Sequence, residues 1–284
     1  MNLSPPPFLI ALTVFIFGSV VGSFLNVCIA RLPKEESVVS PPSHCPLCNT
    51  PIHFYDNVPL LSYVWLRGRC RSCRERISPR YFIVELLMAF FSVLLLGRFG
   101  LGLTFFVNFV LVAALIIITF VDLDVRIVPD VISIPGIGLG LLASLIQYQW
   151  PMDRLSILPS PISSLVGILI GGGSLLLVAW AYQFFTGVEG MGGGDIKLLA
   201  MIGAFLGWPA VPVALFFASL TGSVVGLIFM FWKGVGSKYA LPFAPFLCLG
   251  AVVYLFLGDL LVAFYLPLVE MRSYRSVVLD HMQG

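Results

Sequence analysis

Eight apolar runs set the pattern of the chain, at residues 8–29, 82–97, 102–121, 131–148, 162–183, 196–207, 209–231 and 243–266. Most approach the roughly 20 residues a helix needs to cross a bilayer. The sixth is short, and Gly207-Trp208-Pro209 divides it from the seventh. It reads as a half-span or as one arm of a tight helical hairpin. The pattern therefore predicts an all-α polytopic membrane protein with about eight transmembrane helices, or seven if the sixth run does not cross. Composition agrees: 11% of residues are charged, against about 25% in soluble domains. The net charge of +2 provides no basic field for nucleic acid, so no nucleic-acid partner is expected. The first run lacks a basic n-region and is too long for a signal-peptide core, so it reads as a retained span. No repeat of 20–50 residues is visible.

Lysine and arginine orient the spans. Arg31, Lys34, Arg67, Arg69, Arg71, Arg74, Arg76 and Arg80 lie between the first and second runs, half of the 16 basic residues in the chain. That loop is expected to be cytoplasmic, with the N-terminus outside. Threading eight spans from there also puts Arg126, Lys197, Lys233 and Lys238 inside. Only Arg98, Arg154, Arg272 and Arg275 stay outside. The expected divisions are a first transmembrane helix at 1–30, a cytoplasmic loop domain at 31–81, a helical membrane core at 82–266 and a tail at 267–284 with no evident chemistry.

The first loop carries Cys45-Pro-Leu-Cys48 and Cys70-Arg-Ser-Cys73. Two such pairs read as a four-thiolate, tetrahedral structural zinc site. A loop this small buries little core, so a metal staple makes physical sense. Two disulfides are the alternative, but a cytoplasmic loop sits in a reducing compartment. His44 and His53 flank the first pair and read as surface residues. Cys28 and Cys248 lie in apolar runs and read as packing residues.

Carboxylates at the edge of apolar sequence point to function. One set is Asp122-Leu-Asp124 with Pro129-Asp130, between the third and fourth runs. Asp122 directly follows an apolar run and should be the deepest. A carboxylate at a helix C-terminus is electrostatically unfavourable, which calls for another explanation. Asp124 reads equally as a solvated loop charge. Asp130 suits the start of the next helix. The other set is Gly190-Met-Gly192-Gly-Gly194-Asp195-Ile-Lys197. Its glycines would let another backbone approach the Asp195 carboxylate; the plainer alternative is a flexible loop with a solvated, helix-capping aspartate. The threading puts Asp122 and Asp195 at one depth. Two carboxylates sharing a site keep one proton between them, which gives a base for water and an acid for a leaving amine. An ion-coupled transporter would instead want midplane charges and broken helices in repeated halves. A zinc-loop scaffold without catalysis would leave the paired aspartates unexplained.

At this point the chain resembles the bacterial type IV prepilin peptidases, bifunctional leader peptidases and N-methyltransferases of the GxGD aspartyl protease class. The resemblance runs through Gly22-Ser-Phe-Leu-Asn26, Arg31-Leu-Pro33, both C-x-x-C pairs, Asn57-Val-Pro-Leu-Leu-Ser-Tyr63 and Arg67-Gly-Arg-Cys70. It continues through Arg80-Tyr81 with Glu85, the Asp122 and Asp195 stretches, and Pro242-Phe-Ala-Pro245. It implies that Asp122 and Asp195 are catalytic, with Gly192, Gly194, Lys197 and Asp124 shaping the site. It ties methyl transfer from S-adenosylmethionine to the cysteine loop, with Gly68 a contributor. The implied substrates are prepilins and type II secretion pseudopilins, whose short basic leaders are cleaved at the cytoplasmic face of the bacterial inner membrane. Cleavage falls after the leader's terminal Gly, and the new N-terminal residue, often Phe, is methylated. A peptidase without methyltransferase activity is the alternative. Ala244 stands where Gly is common and Val128 where Leu or Ile is usual. No Rossmann-type glycine-rich motif appears, so the sequence does not place the methyl donor.

Overall fold

The computed structural model describes residues 8–45, 47–149, 158–188, 192–233 and 242–261. The apolar runs become helices α1 (Phe8–Arg31), α3 (Pro79–Phe99), α4 (Leu103–Val125), α5 (Asp130–Gln149), α6 (Pro161–Thr186), α7 (Gly193–Leu206), α8 (Ala210–Lys233) and α9 (Ala244–Leu261). A short α2 (Leu61–Trp65) lies in the loop after α1. Among the described residues seven helices are long and apolar enough to cross a membrane. The exception is α7, whose 14 residues fall short of a span. The chain is a multi-pass membrane protein. The C-terminal tail, Lys238 and Glu189 to Met191 lie outside the described residues.

Local signals account for the boundaries. Ser78 caps α3 and Ser160 caps α6, and in each the next residue is a proline at the first helical position. Gly187 closes α6 in the left-handed region. Arg126 does the same for α4, its N–H donating to the Asp122 carbonyl oxygen at 2.9 Å.

Lipid offers little hydrophobic drive for packing, so small residues decide which helices meet. Gly18 and Gly22 of α1 lie against α3: a Cβ on Gly22 would stand 2.7 Å from the Glu85 Cα. Helix α7 is the most enclosed, with Leu198 to Phe205 all buried. It packs chiefly on α6 and α5. Gly167 and Gly203 meet backbone to backbone there, and a Cβ on Gly171 would be 2.6 Å from the Leu199 carbonyl oxygen. Ser164 Oγ donates to the Ala204 carbonyl oxygen at 2.8 Å, fixing α6 against α7. At the bundle end away from the loop, Arg98 pairs with Asp259 at 2.8 Å, joining α3 to α9.

The loop contains no strand among its described residues. Its two C-x-x-C turns share one set of hydrogen bonds, displaced by 25 residues. Cys45 N–H donates to the Thr50 carbonyl, and Cys70 N–H to that of Glu75. Asn49 donates to Cys45, and Arg74 to Cys70. Ile52 donates to Ser43, and Ile77 to Gly68. Asn49 and Arg74 both take positive φ.

Candidate active site

Three helix ends converge on one end of the bundle: the C-terminus of α4 and the N-termini of α7 and α9. Asp122 occupies the last turn of α4 and is 5% exposed, whereas Asp124 and Asp130 are exposed. It is the deepest of the three, as the sequence pattern predicts. The Asp122 carboxylate accepts from the Ala244 backbone N–H at the start of α9. Its Oδ2 is buried and has no hydrogen-bond partner among the described residues.

Asp195 is the third residue of α7, half-buried, with Gly192 as the N-cap. It is therefore neither a loop residue nor the cap itself. Asp195 lies within electrostatic reach of Asp122. Cys248 of α9 is buried, bonded to Thr119 and within electrostatic reach of both carboxylates. Gly194 explains part of the glycine run: a Cβ there would stand 2.8 Å from the Val128 Cβ. The α4–α5 connection crosses at that point. Gly192, by contrast, faces open space.

Two ion pairs frame the site. Lys197 Nζ reaches both carboxylate oxygens of Asp130 at 2.7 Å, tying the first turn of α7 to that of α5. Asp124 pairs with Arg80, which also donates to the Phe120 carbonyl oxygen at 3.0 Å. Arg80 thus links the loop side of α3 to the end of α4. Exposed pairs contribute about 0.2–1 kcal/mol, so their value is positional. Lys197→Met should lower stability by less than about 1 kcal/mol yet, with Asp195 read as a catalytic group, reduce turnover about tenfold by letting it drift. The exchanged pair Asp130→Lys/Lys197→Asp should recover part of that turnover. Thermal melts alongside kcat and KM test both statements, and a melt shift matching the activity loss would contradict the positional role.

The loop sits at the same bundle end. The Sγ atoms of Cys45, Cys48, Cys70 and Cys73 all lie within 4.8 Å of one another. Cys45 Sγ and Cys73 Sγ are 3.8 Å apart, and none of the described cysteines is in a disulfide. A tetrahedron with metal–sulfur arms of about 2.3 Å has edges of about 3.8 Å, so the four sulfurs fit zinc. Thr50 Oγ1 lies 3.3 Å from Cys48 Sγ, a hydrogen bond that holds the Cys48 thiol below its usual value, while Cys73 in the same cluster is pushed up. His44 and His53 are exposed and outside the cluster. Arg71 grips Asp56 through two guanidinium nitrogens, stapling the segment between the turns to the second turn.

Gly68 is buried, at φ +64, and a Cβ there would stand 2.9 Å from the Tyr63 hydroxyl oxygen. A side chain at this position is strained by the backbone and crowded by Tyr63. Sequence reasoning reached Glu85 only through resemblance. It is buried in α3, accepts from the Leu60 backbone N–H at 2.8 Å and is bonded by Ser23. Leu60 takes positive φ. Glu85 therefore pins the loop to the α1–α3 pair. Asn26 supports the same junction by donating to the Tyr81 carbonyl oxygen at 3.0 Å. No local sequence signal marks these contacts.

Such an arrangement defines a polytopic membrane protein with two neighbouring aspartates at one bundle end and a four-cysteine loop beside them. Residues 16–99 match the bacterial peptidase A24 N-terminal domain, and residues 109–227 match the type IV leader peptidase family. The chain belongs to this family. It is 37% identical over 284 residues to a prepilin leader peptidase/N-methyltransferase of Aeromonas hydrophila, with 92% of this chain and 95% of the relative covered. It is 33% identical over 287 residues to the protein of that name from Pseudomonas aeruginosa, covering 93% and 96%. No solved structure matches it.

Proposed function

We propose that the protein is a prepilin leader peptidase and N-methyltransferase, and that Asp122 and Asp195 carry the hydrolysis. The observation that supports this reading is the meeting of two carboxylates from α4 and α7 within electrostatic reach, one with an unpartnered buried oxygen. One carboxylate takes a proton from water as its oxygen adds to the scissile carbonyl. The other, holding the shared proton, donates it to the leaving amine as the C–N bond breaks. The Ala244 N–H steadies Asp122, and the Lys197–Asp130 pair holds the first turn of α7. Positive charge in the loop argues for a cytoplasmic site, which the short basic leaders of prepilins and pseudopilins would reach.

Cys45, Cys48, Cys70 and Cys73 would hold a structural zinc, whose part is to fix the loop. S-adenosylmethionine would supply the methyl group when bound. As a polar cofactor it belongs on the loop side, outside the hydrocarbon. Methyl transfer to an amine requires mainly that donor and nucleophile be held in line, so it should depend on loop shape rather than on the aspartates. Gly68→Ser should impair methylation more than cleavage, through strain and contact with Tyr63. Asp122→Asn and Asp195→Asn should still methylate a precleaved pilin. Purified protein in lipid vesicles, given prepilin or precleaved pilin with labelled methyl donor, separates the steps by mass. If the aspartate variants fail to methylate while the loop variant succeeds, one site serves both steps.

A further inference from the structure

Helices α8 and α9 pack tightly in one half and separate in the other. In the half away from the loop, Ala210 and Ala214 are buried, and a Cβ on Gly250 would be 2.6 Å from the Ala214 carbonyl oxygen. Toward the aspartates an open groove of about 350 Å³ appears between them, lined by Ala218, Ser219, Gly222 and Ser223 of α8 and by Pro242, Phe243 and Phe246 before and along α9. Of the seven spanning helices α8 is the least buried.

The groove runs to within one residue of the site. Phe243 immediately precedes Ala244, whose N–H is held by Asp122. Asp122, whose Oδ2 has no hydrogen-bond partner among the described residues, lies at this same level. The volume falls at the small end of ligand pockets and cannot enclose a helix about 10–12 Å across. It suits the side chains on one helix face. Residues 219, 222 and 223 share one face of α8 and are small, which lets a partner backbone come close. The two phenylalanines supply an apolar wall. A lipid chain would fill the space but would bring nothing to Asp122.

We propose that this groove receives one face of the substrate's apolar helix from the bilayer and leads its leader junction to Asp122 and Asp195. The proposal rests on the reading of the chain as a prepilin peptidase.

Two substrates test it: a full prepilin with its apolar segment, and a soluble peptide holding the leader and the first few mature residues. A Cβ on Gly222 meets the Phe246 ring no closer than 3.5 Å, so Gly222→Phe can place its ring in the groove without a backbone clash. It should reduce kcat/KM on the full prepilin at least tenfold more than on the peptide, through KM. Val224→Phe, two residues along α8 and off the groove face, should leave both unchanged. An equal loss on both substrates, or none, would overturn the docking site. A photo-crosslinking residue at Ser223 in the Asp195→Asn protein, in vesicles with prepilin, gives a second readout. Capture of the apolar segment supports the proposal; capture of lipid alone or of a second copy refutes it. Wild-type protein that cleaves neither substrate would instead sink the peptidase reading itself.

Discussion

Asp122→Asn and Asp195→Asn are each expected to abolish leader removal, by roughly 10²–10⁴-fold or more, in protein that still inserts and folds. The double variant should fall no further than either single one. Groups that act as a unit lose their effect at the first removal, and in the proposed mechanism these two share one proton-transfer task. Asp124→Asn is the control within the same stretch. Asp124 is exposed and its partner is Arg80, a contact with a stability contribution of about 0.2–1 kcal/mol, so most activity should remain. Prepilin cleavage in vesicles, read as loss of the leader by mass, decides the matter. Normal cleavage by Asp122→Asn together with loss in Asp124→Asn would reassign the α4 carboxylate.

Metal removal should produce the second large effect. Purified protein is expected to carry about one zinc per chain. The Cys45→Ser/Cys73→Ser variant should carry little, because those two sulfurs come from different turns and form one edge of the cluster. Structural zinc in small domains contributes about 10–16 kcal/mol of apparent binding free energy, far more than the little core this loop buries. The loop should then open while the spans persist. Arg67, Arg69, Arg74 and Arg76 are exposed around the second turn and offer trypsin its sites. Limited trypsinolysis should cut there in the variant and spare the wild type. Zinc-free wild-type protein with its four thiols in disulfides would contradict both the metal assignment and the reducing compartment.

The spans were legible because each is a local pattern: apolar runs and helices agree to within a few residues at nearly every boundary. Asp122 was legible for the same reason, as a charge directly after an apolar run. The cysteine cluster was legible from spacing alone. Contacts between distant segments were not. The Lys197–Asp130 pair, the Arg80–Asp124 pair and the Glu85 hold on Leu60 join residues 67, 44 and 25 positions apart. No periodicity encodes them, because each depends on how helices cross. Ala244 could not be assigned a role in advance, since its contribution is a backbone N–H that any residue but proline carries. The glycine run was half legible. Gly194 is needed because Val128 crosses it, while the space beside Gly192 gives no comparable reason.

The shortness of α7 has a consequence for how wet the chemistry can be. Its 14 residues rise about 21 Å, against a hydrocarbon thickness of about 30 Å. Trp208, half-exposed in the turn that joins it to α8, marks one interface as aromatic side chains do. Measured from there, the first residue of α7 stops about 9 Å short of the opposite edge of the hydrocarbon, and Asp195, two residues further in, about 12 Å short. Water for the proposed hydrolysis would then have to reach Asp195 below the headgroup level. Bilayer thickness would set that depth, so acyl-chain length would become a variable of turnover alongside substrate and pH.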